Sequence, residues 1–227
     1  MNDKPLMMKD LQKELKYFIH IFLFSLCACT ASVDNFHLQT GDLLFQVDKG
    51  SMSEAIAKVT FGESDINYTH VGIVLVQNDT IFVIEAIPSG VSKTLLDTFM
   101  FRSATLKEKP IVAVGRLKQE YRKFIPQALV RAEKLLGKPY DFVFYPDNDA
   151  YYCSELVMVS FLNNQNMPIF EPVSMNFRDI DGNLPAYWIE HFKKYNAIIP
   201  ENCRGSNPGA LSKSDKIEIT YRYFRQN

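Results

Sequence analysis

The sequence has no excess charge of either sign: 25 Lys and Arg against 26 Asp and Glu leave a formal net charge of −1 over 227 residues. No run of basic residues is longer than a pair such as Lys193-Lys194, so the charge pattern of a polynucleotide-binding surface is absent. Nucleic acid is not an expected partner. Cysteine is scarce, with four residues, and none lies in a Cys-x-x-Cys pair or in a Cys/His cluster with zinc spacing. No metal or other cofactor is expected. Fixed-period repeats and linkers rich in Gly, Ser or Pro are missing too, which excludes solenoids and two globular halves joined by a tether. What is present is 47% hydrophobic residues, enough to build the core of one domain.

The chain also lacks an apolar stretch that would cross a bilayer comfortably. Residues 18–28 (Phe-Ile-His-Ile-Phe-Leu-Phe-Ser-Leu-Cys-Ala) have instead the length of a signal-peptide h-region, preceded by Lys4, Lys9, Lys13 and Lys16. Asp10, Glu14 and His20 weaken that pattern and keep open a hydrophobic helix packed on the domain. Leu26-Cys27-Ala28-Cys29 resembles a bacterial lipobox, in which cleavage precedes a cysteine that is then acylated. The expected organisation is a leader over 1–29 ending at lipidated Cys29, a tether over 30–38, and one domain over 39–227. Export to the cell envelope with membrane attachment through Cys29 follows; without cleavage the protein would be periplasmic or cytoplasmic.

Within the domain, Thr40-Gly41-Asp42 turns into a strand over 43–47. Met52, Ala55, Ile56 and Val59 recur at helical spacing over 49–60. Val91 to Phe101 reads as an exposed or lid-like segment, because Ser92, Lys93 and Thr94 interrupt its apolar residues. A core strand over 111–117 precedes a helix over 121–136, which Gly137 caps and Pro139 follows. Asp147-Asn148-Asp149 is a solvated turn without the ligand spacing of a calcium loop. A short helix over 184–192 and an alternating strand over 216–224 close an α+β domain.

Two segments carry chemistry. Leu156, Val157, Val159, Ser160 and Phe161 define a helix ended by Asn163-Asn164-Gln165-Asn166, which puts Cys153 in its first turn. There the unpaired N–H groups and the helix dipole favour a thiolate, and the same N–H groups can stabilise an oxyanion. A lone cysteine in an apolar helix is otherwise a small buried hydrophobe. The runs 69–76 and 81–86 form a hairpin about Asn78 and Asp79, so residue 77 faces 80, 75 faces 82 and 72 faces 85. Glu85 then lies over Gly72, with His70 on the same face as its diagonal neighbour. Two ionisable groups on otherwise apolar strands suggest a site; the bland alternative is a structural His–Glu hydrogen bond at a sheet edge. His20 and His37 fall in the leader and tether, and no carboxylate is set against His191. Cys153, His70 and Glu85 thus supply a nucleophile, a base and a group that orients the base. A nucleophilic Cys153 must stay reduced, so no bridge to Cys203 is expected.

Taken in order, Gly41-Asp42, Thr69-His70-Val71-Gly72-Ile73-Val74, Val83-Ile84-Glu85-Ala86, Gly137-Lys138-Pro139-Tyr140-Asp141 and Tyr152-Cys153-Ser154-Glu155-Leu156-Val157 resemble the permuted papain-like amidases of the YiiX/YebB type, relatives of the NlpC-type cell-wall peptidases. The likeness covers about residues 39–163. It implies a circularly permuted papain-like core: an antiparallel sheet carrying the histidine, packed against helices, with the nucleophile at a helix N-terminus. It further implies Cys153 as nucleophile, His70 as base and Glu85 as orienting residue, with Tyr140 and Tyr152 lining the pocket and Asp42 holding the first strand. The expected activity is hydrolysis of amide bonds through an acyl-enzyme. The substrate is a short peptide, such as a cell-wall peptide stem, or an N-acyl or lipid amide, with acyl transfer as a variant. A silent binding module on the same fold is the alternative outside enzymes.

Overall fold

A computed structural model describes residues 36–146 and 148–224. Cys29 and the leader lie outside the described residues, as does Asp147 of the predicted turn. Six strands form one antiparallel sheet: β1 (Leu43–Gln46), β2 (His70–Gln77), β3 (Thr80–Ile87), β4 (Gly90–Leu95), β5 (Val112–Leu117) and β6 (Ile217–Arg222). Their order is β6-β5-β1-β2-β3-β4. The hairpin of β2 and β3 has the predicted register, with Gln77 opposite Thr80 and Leu75 opposite Phe82. Asn78 and Asp79 both take positive φ, 48° and 59°, the conformation in which a two-residue turn matches the strand twist. That turn sets the pairing of every residue toward His70 and Glu85. Since β2 pairs with β1 and β3 with β4, both strands are interior, and neither ionisable residue sits on a sheet edge.

The helices are α1 (Ser51–Val59), α2 (Leu96–Arg102), α3 (Ile125–Lys134), α4 (Cys153–Ser160), α5 (Ala186–Lys194) and α6 (Pro208–Ser212). The predicted helix over 121–136 is divided into a 3₁₀ turn at Gln119–Phe124 and α3. Pro126 lacks an N–H for the bond a continuing helix would need, so it starts a helix instead. α3 packs against α4, and α4 against β2, giving a core built from Phe45, Val71, Ile73 and Ile84 of the sheet with Ala128, Ala132, Leu156 and Val157 of the helices. Burying each larger side chain contributes about 1.5–3 kcal/mol, so the placement of α4 on the sheet is heavily determined.

The segment after residue 90 is not a lid. It continues as β4 and then α2, with Phe99 fully buried beneath the sheet. Ser92, Lys93 and Thr94 are the half-exposed residues of an edge strand rather than signs of a mobile flap. A second, aromatic cluster of Phe144, Tyr152, Phe177, Trp188 and Phe192 lies under α5. It is joined by a short ribbon in which Val173–Ser174 pairs with Arg204–Gly205. Gly205 packs closely there: a Cβ would stand 2.6 Å from Met175 Sδ and 3.0 Å from Tyr152 Oη, so the Met175 side chain would have to shift. Among the described residues no helix is long and apolar enough to cross a membrane.

Candidate active site

His70 opens β2, Glu85 lies near the end of β3, and Cys153 is the first residue of α4. All three are buried, and Glu85 has no exposed surface. The imidazole Nε2 lies 2.6 Å from Glu85 Oε2. Gly72 lets β3 approach closely at this point: a Cβ at that position would stand 2.3 Å from Val83 Cγ1 and 3.4 Å from Glu85 Cβ. With Nε2 taken by the carboxylate, Nδ1 is the ring nitrogen left for the sulfur. Cys153 and His70 line one cleft.

Burial alone pushes the His70 imidazole toward its neutral form. The influence of Cys153 and Glu85, each of which favours the protonated ring, outweighs burial and raises its pKa to about 10. Burial likewise pushes the Glu85 carboxyl up, but His70 and Arg102 overcome that and hold it at about 2. Near neutral pH the pocket therefore favours an imidazolium against a carboxylate. Such an imidazolium stabilises a thiolate beside it. Tyr152 Oη is held by the Ser206 backbone N–H at 3.1 Å, and Leu156 N–H closes the first turn of α4 on the Tyr152 carbonyl at 3.0 Å. The N–H groups of Cys153 and Ser154 have no acceptor within the helix, as at any helix start, and point out of its N-terminal end.

Arg102 and Gln46 belong to this assembly and were not among the expected residues. Arg102 Nη2 donates to Glu85 Oε1 at 2.6 Å and Oε2 at 2.5 Å. Gln46, paired with His70 across β1 and β2, donates through Nε2 to the Phe99 carbonyl at 2.7 Å. Phe99 in turn packs its ring 5.7 Å from the His70 ring. α2 thus supplies a wall for the imidazole and a cation for its carboxylate. A buried glutamine in the apolar run Leu-Leu-Phe-Gln-Val was a legible sign that a partner exists. Nothing in the local pattern pointed to Arg102, which immediately follows the stretch read as a lid.

Tyr140 and Tyr152 both line the cleft space around Cys153. Burial raises the pKa of each, with the Cys153 charge contributing at Tyr140, so both hydroxyls stay protonated. Asp42 is remote from the clefts and binds the β5 residue Arg116 bidentately, with Nε and Nη2 each at 2.8 Å, while accepting the Gln39 N–H at 2.7 Å. It ties the entry of β1 to β5. His191 is buried among the aromatic side chains of α5 and donates to the Phe142 carbonyl at 2.6 Å. Cys153 and Cys203 are both unbridged.

Two clefts meet at Cys153. Tyr140, Ile56 and Thr69 border both. His70, Asp48, Lys49 and Pro88 line one of them; Val59, Phe144, Met175, Phe177 and Trp188 line the other.

Residues 37–219 match the sequence profile described as permuted papain-like amidase enzyme, YaeF/YiiX, C92 family. The chain is 30% identical over 162 residues to the "Uncharacterized protein YiiX" of Escherichia coli (strain K12), covering 71% of this chain and 75% of that protein. Its fold is similar, with a TM-score of 0.68 and 26% identity, to a structure named "Crystal structure of metalloprotein yiiX from Escherichia coli O157:H7"; the match covers 84% of this chain and all of that one. A resident metal does not fit the residues here. His70 Nε2 and both Glu85 oxygens are already engaged, and among the described residues no group of three or more His, Cys, Asp or Glu can hold a metal ion.

Proposed function

The chain belongs to the permuted papain-like amidases of the YaeF/YiiX, C92 family, and from that premise we propose that it is a cysteine amidase working through Cys153, His70 and Glu85. The observation that carries this reading is the 2.6 Å contact of His70 Nε2 with a buried Glu85, in the cleft that Cys153 also lines. In the proposed reaction the Cys153 thiolate attacks the amide carbonyl, forming the S–C bond while the N–H groups at the start of α4 receive the oxyanion. The His70 imidazolium then passes its Nδ1 proton to the leaving nitrogen as the C–N bond breaks. Neutral His70 next takes a proton from water, whose oxygen attacks the thioester; the acid leaves and the thiolate returns. The balance is amide plus water giving acid plus amine.

Glu85 orients the ring and stabilises its charge, and Arg102 holds Glu85 ionised. The substrate class is a short peptide or an N-acyl amide. The lipobox-like Leu26-Cys27-Ala28-Cys29 supports export and anchoring at the cell envelope, where wall peptide stems are within reach. The absence of charged residues from one of the two clefts favours the N-acyl amide for that half of the site. Cys153→Ser, a change of similar volume, is expected to abolish amide hydrolysis while preserving the thermal unfolding transition. Turnover retained in that variant would exclude the proposed nucleophile.

A further inference from the structure

The two clefts differ in chemistry, and the position of His70 orients the substrate between them. His70 lines only one. A proton donor must lie on the side from which the amine departs, so the leaving group occupies the cleft of His70, Asp48 and Lys49. The acyl half is left with the other. That second cleft is walled by Val59, Phe144, Met175, Phe177 and Trp188, and no Asp, Glu, Lys, Arg or His is among the described residues that line it. Any charge placed there would lose its hydration without a counter-ion, at a cost of several kcal/mol.

Three residues that line this cleft carry a buried polar atom with no hydrogen-bond partner among the described residues: Ser154 Oγ, Trp188 Nε1 and Ser206 Oγ. All three side chains are buried. Buried polar groups are ordinarily paired, and an unpaired one costs about 1–3 kcal/mol, so three of them on residues that line one cleft are donors that an acceptor on a ligand would satisfy. Resting on the cysteine amidase reading above, we infer that the cleft under α5 is the acyl subsite and selects an uncharged, apolar acyl group, with Ser154 and Trp188 meeting a neutral acceptor on it. The leaving amine is the half of the substrate that carries polar or charged groups.

The test uses N-acyl glycines of increasing acyl length, from acetyl to hexanoyl, and matched compounds whose acyl chain ends in a carboxylate or an ammonium. Release of glycine is followed with the full-length protein. kcat/KM is expected to rise about three- to fourfold per added methylene until the cleft is filled, and to fall at least tenfold when the tip is charged. Asn176 lies at the exposed mouth of the cleft, and Asn176→Asp is expected to favour the ammonium-tipped chain over the carboxylate-tipped one without shifting the melting temperature. Ser154→Ala is expected to lower kcat/KM severalfold with no loss of stability, because it deletes an unpaired hydroxyl. A flat length series or a preference for charged tips, in protein whose Cys153 still reacts with iodoacetamide in a His70-dependent way, overturns the subsite and leaves the amidase reading standing. Failure to hydrolyse any member together with an unreactive Cys153 overturns both.

Discussion

A single nitrogen of Arg102 donates to both carboxylate oxygens of Glu85, one of which also binds His70, so a helix after the last strand of the sheet's edge secures a hydrogen bond made between two interior strands. The arrangement keeps Glu85 charged although it is fully buried. An unpaired carboxylate in that position would be strongly destabilising.

Arg102→Ala should therefore act at the imidazole without touching the sulfur. We expect kcat to fall about tenfold, in line with loss of a charge-assisted bond, and the His70 pKa to rise, because a cation that disfavours the imidazolium is gone while Glu85 is still ionised where His70 titrates. Arg102→Lys should recover part of both. Histidine NMR titration alongside kinetics checks this; an unchanged His70 titration in Arg102→Ala would remove Arg102 from the network.

Glu85→Gln should slow hydrolysis less than loss of Cys153, since an orienting group contributes less than the nucleophile. It should also change the pH dependence of stability. His70 is raised from an ordinary 6.5 to about 10, so its contribution is complete below about 6.5 and is lost as pH climbs through about 10. Glu85 is lowered from 4.5 to about 2, so its contribution is complete above about 4.5 and is lost as pH falls through about 2. In Glu85→Gln the acid-side decline due to residue 85 should vanish, and the alkaline decline should begin at lower pH. Melting temperatures from pH 2 to 11 read both effects, and a profile identical to the parent protein would contradict the assignment.

Envelope anchoring has its own test. Cells expressing the full chain and fed an alkyne-bearing fatty acid should incorporate it into the wild-type protein but not into Cys29→Ala. Equal incorporation in both would rule out Cys29 as the anchor.

The parts of the fold visible in the sequence are those determined by short-range rules. A two-residue Asn-Asp turn fixes strand register, so the meeting of His70 and Glu85 over Gly72 follows from counting residues back along the hairpin. The apolar spacing after Cys153 likewise reveals a helix and puts the thiol at its start. Arg102 and the aromatic cleft were hidden for the opposite reason. Arg102 reaches Glu85 only because α2 folds back beneath the sheet, and the half-polar edge strand β4 carries the same pattern as an exposed flap. The cleft under α5 needs residues from 56 to 208 brought together, including a two-residue ribbon too short to leave a periodic signal. Asp42 binds Arg116, 74 residues away, a partner that no local pattern could foresee.

The account rests on a thiolate made by His70, and competition between two cysteines reads it most directly. Cys153 is buried, 5% exposed, while Cys203 is more open. Accessibility alone would make Cys203 the faster to alkylate. With limiting iodoacetamide near neutral pH, analysed by peptide mass spectrometry, the account predicts preferential modification of Cys153, lost in His70→Ala. Equal slow labelling of both cysteines, or Cys153 reactivity unaffected by removing the imidazole, would contradict it.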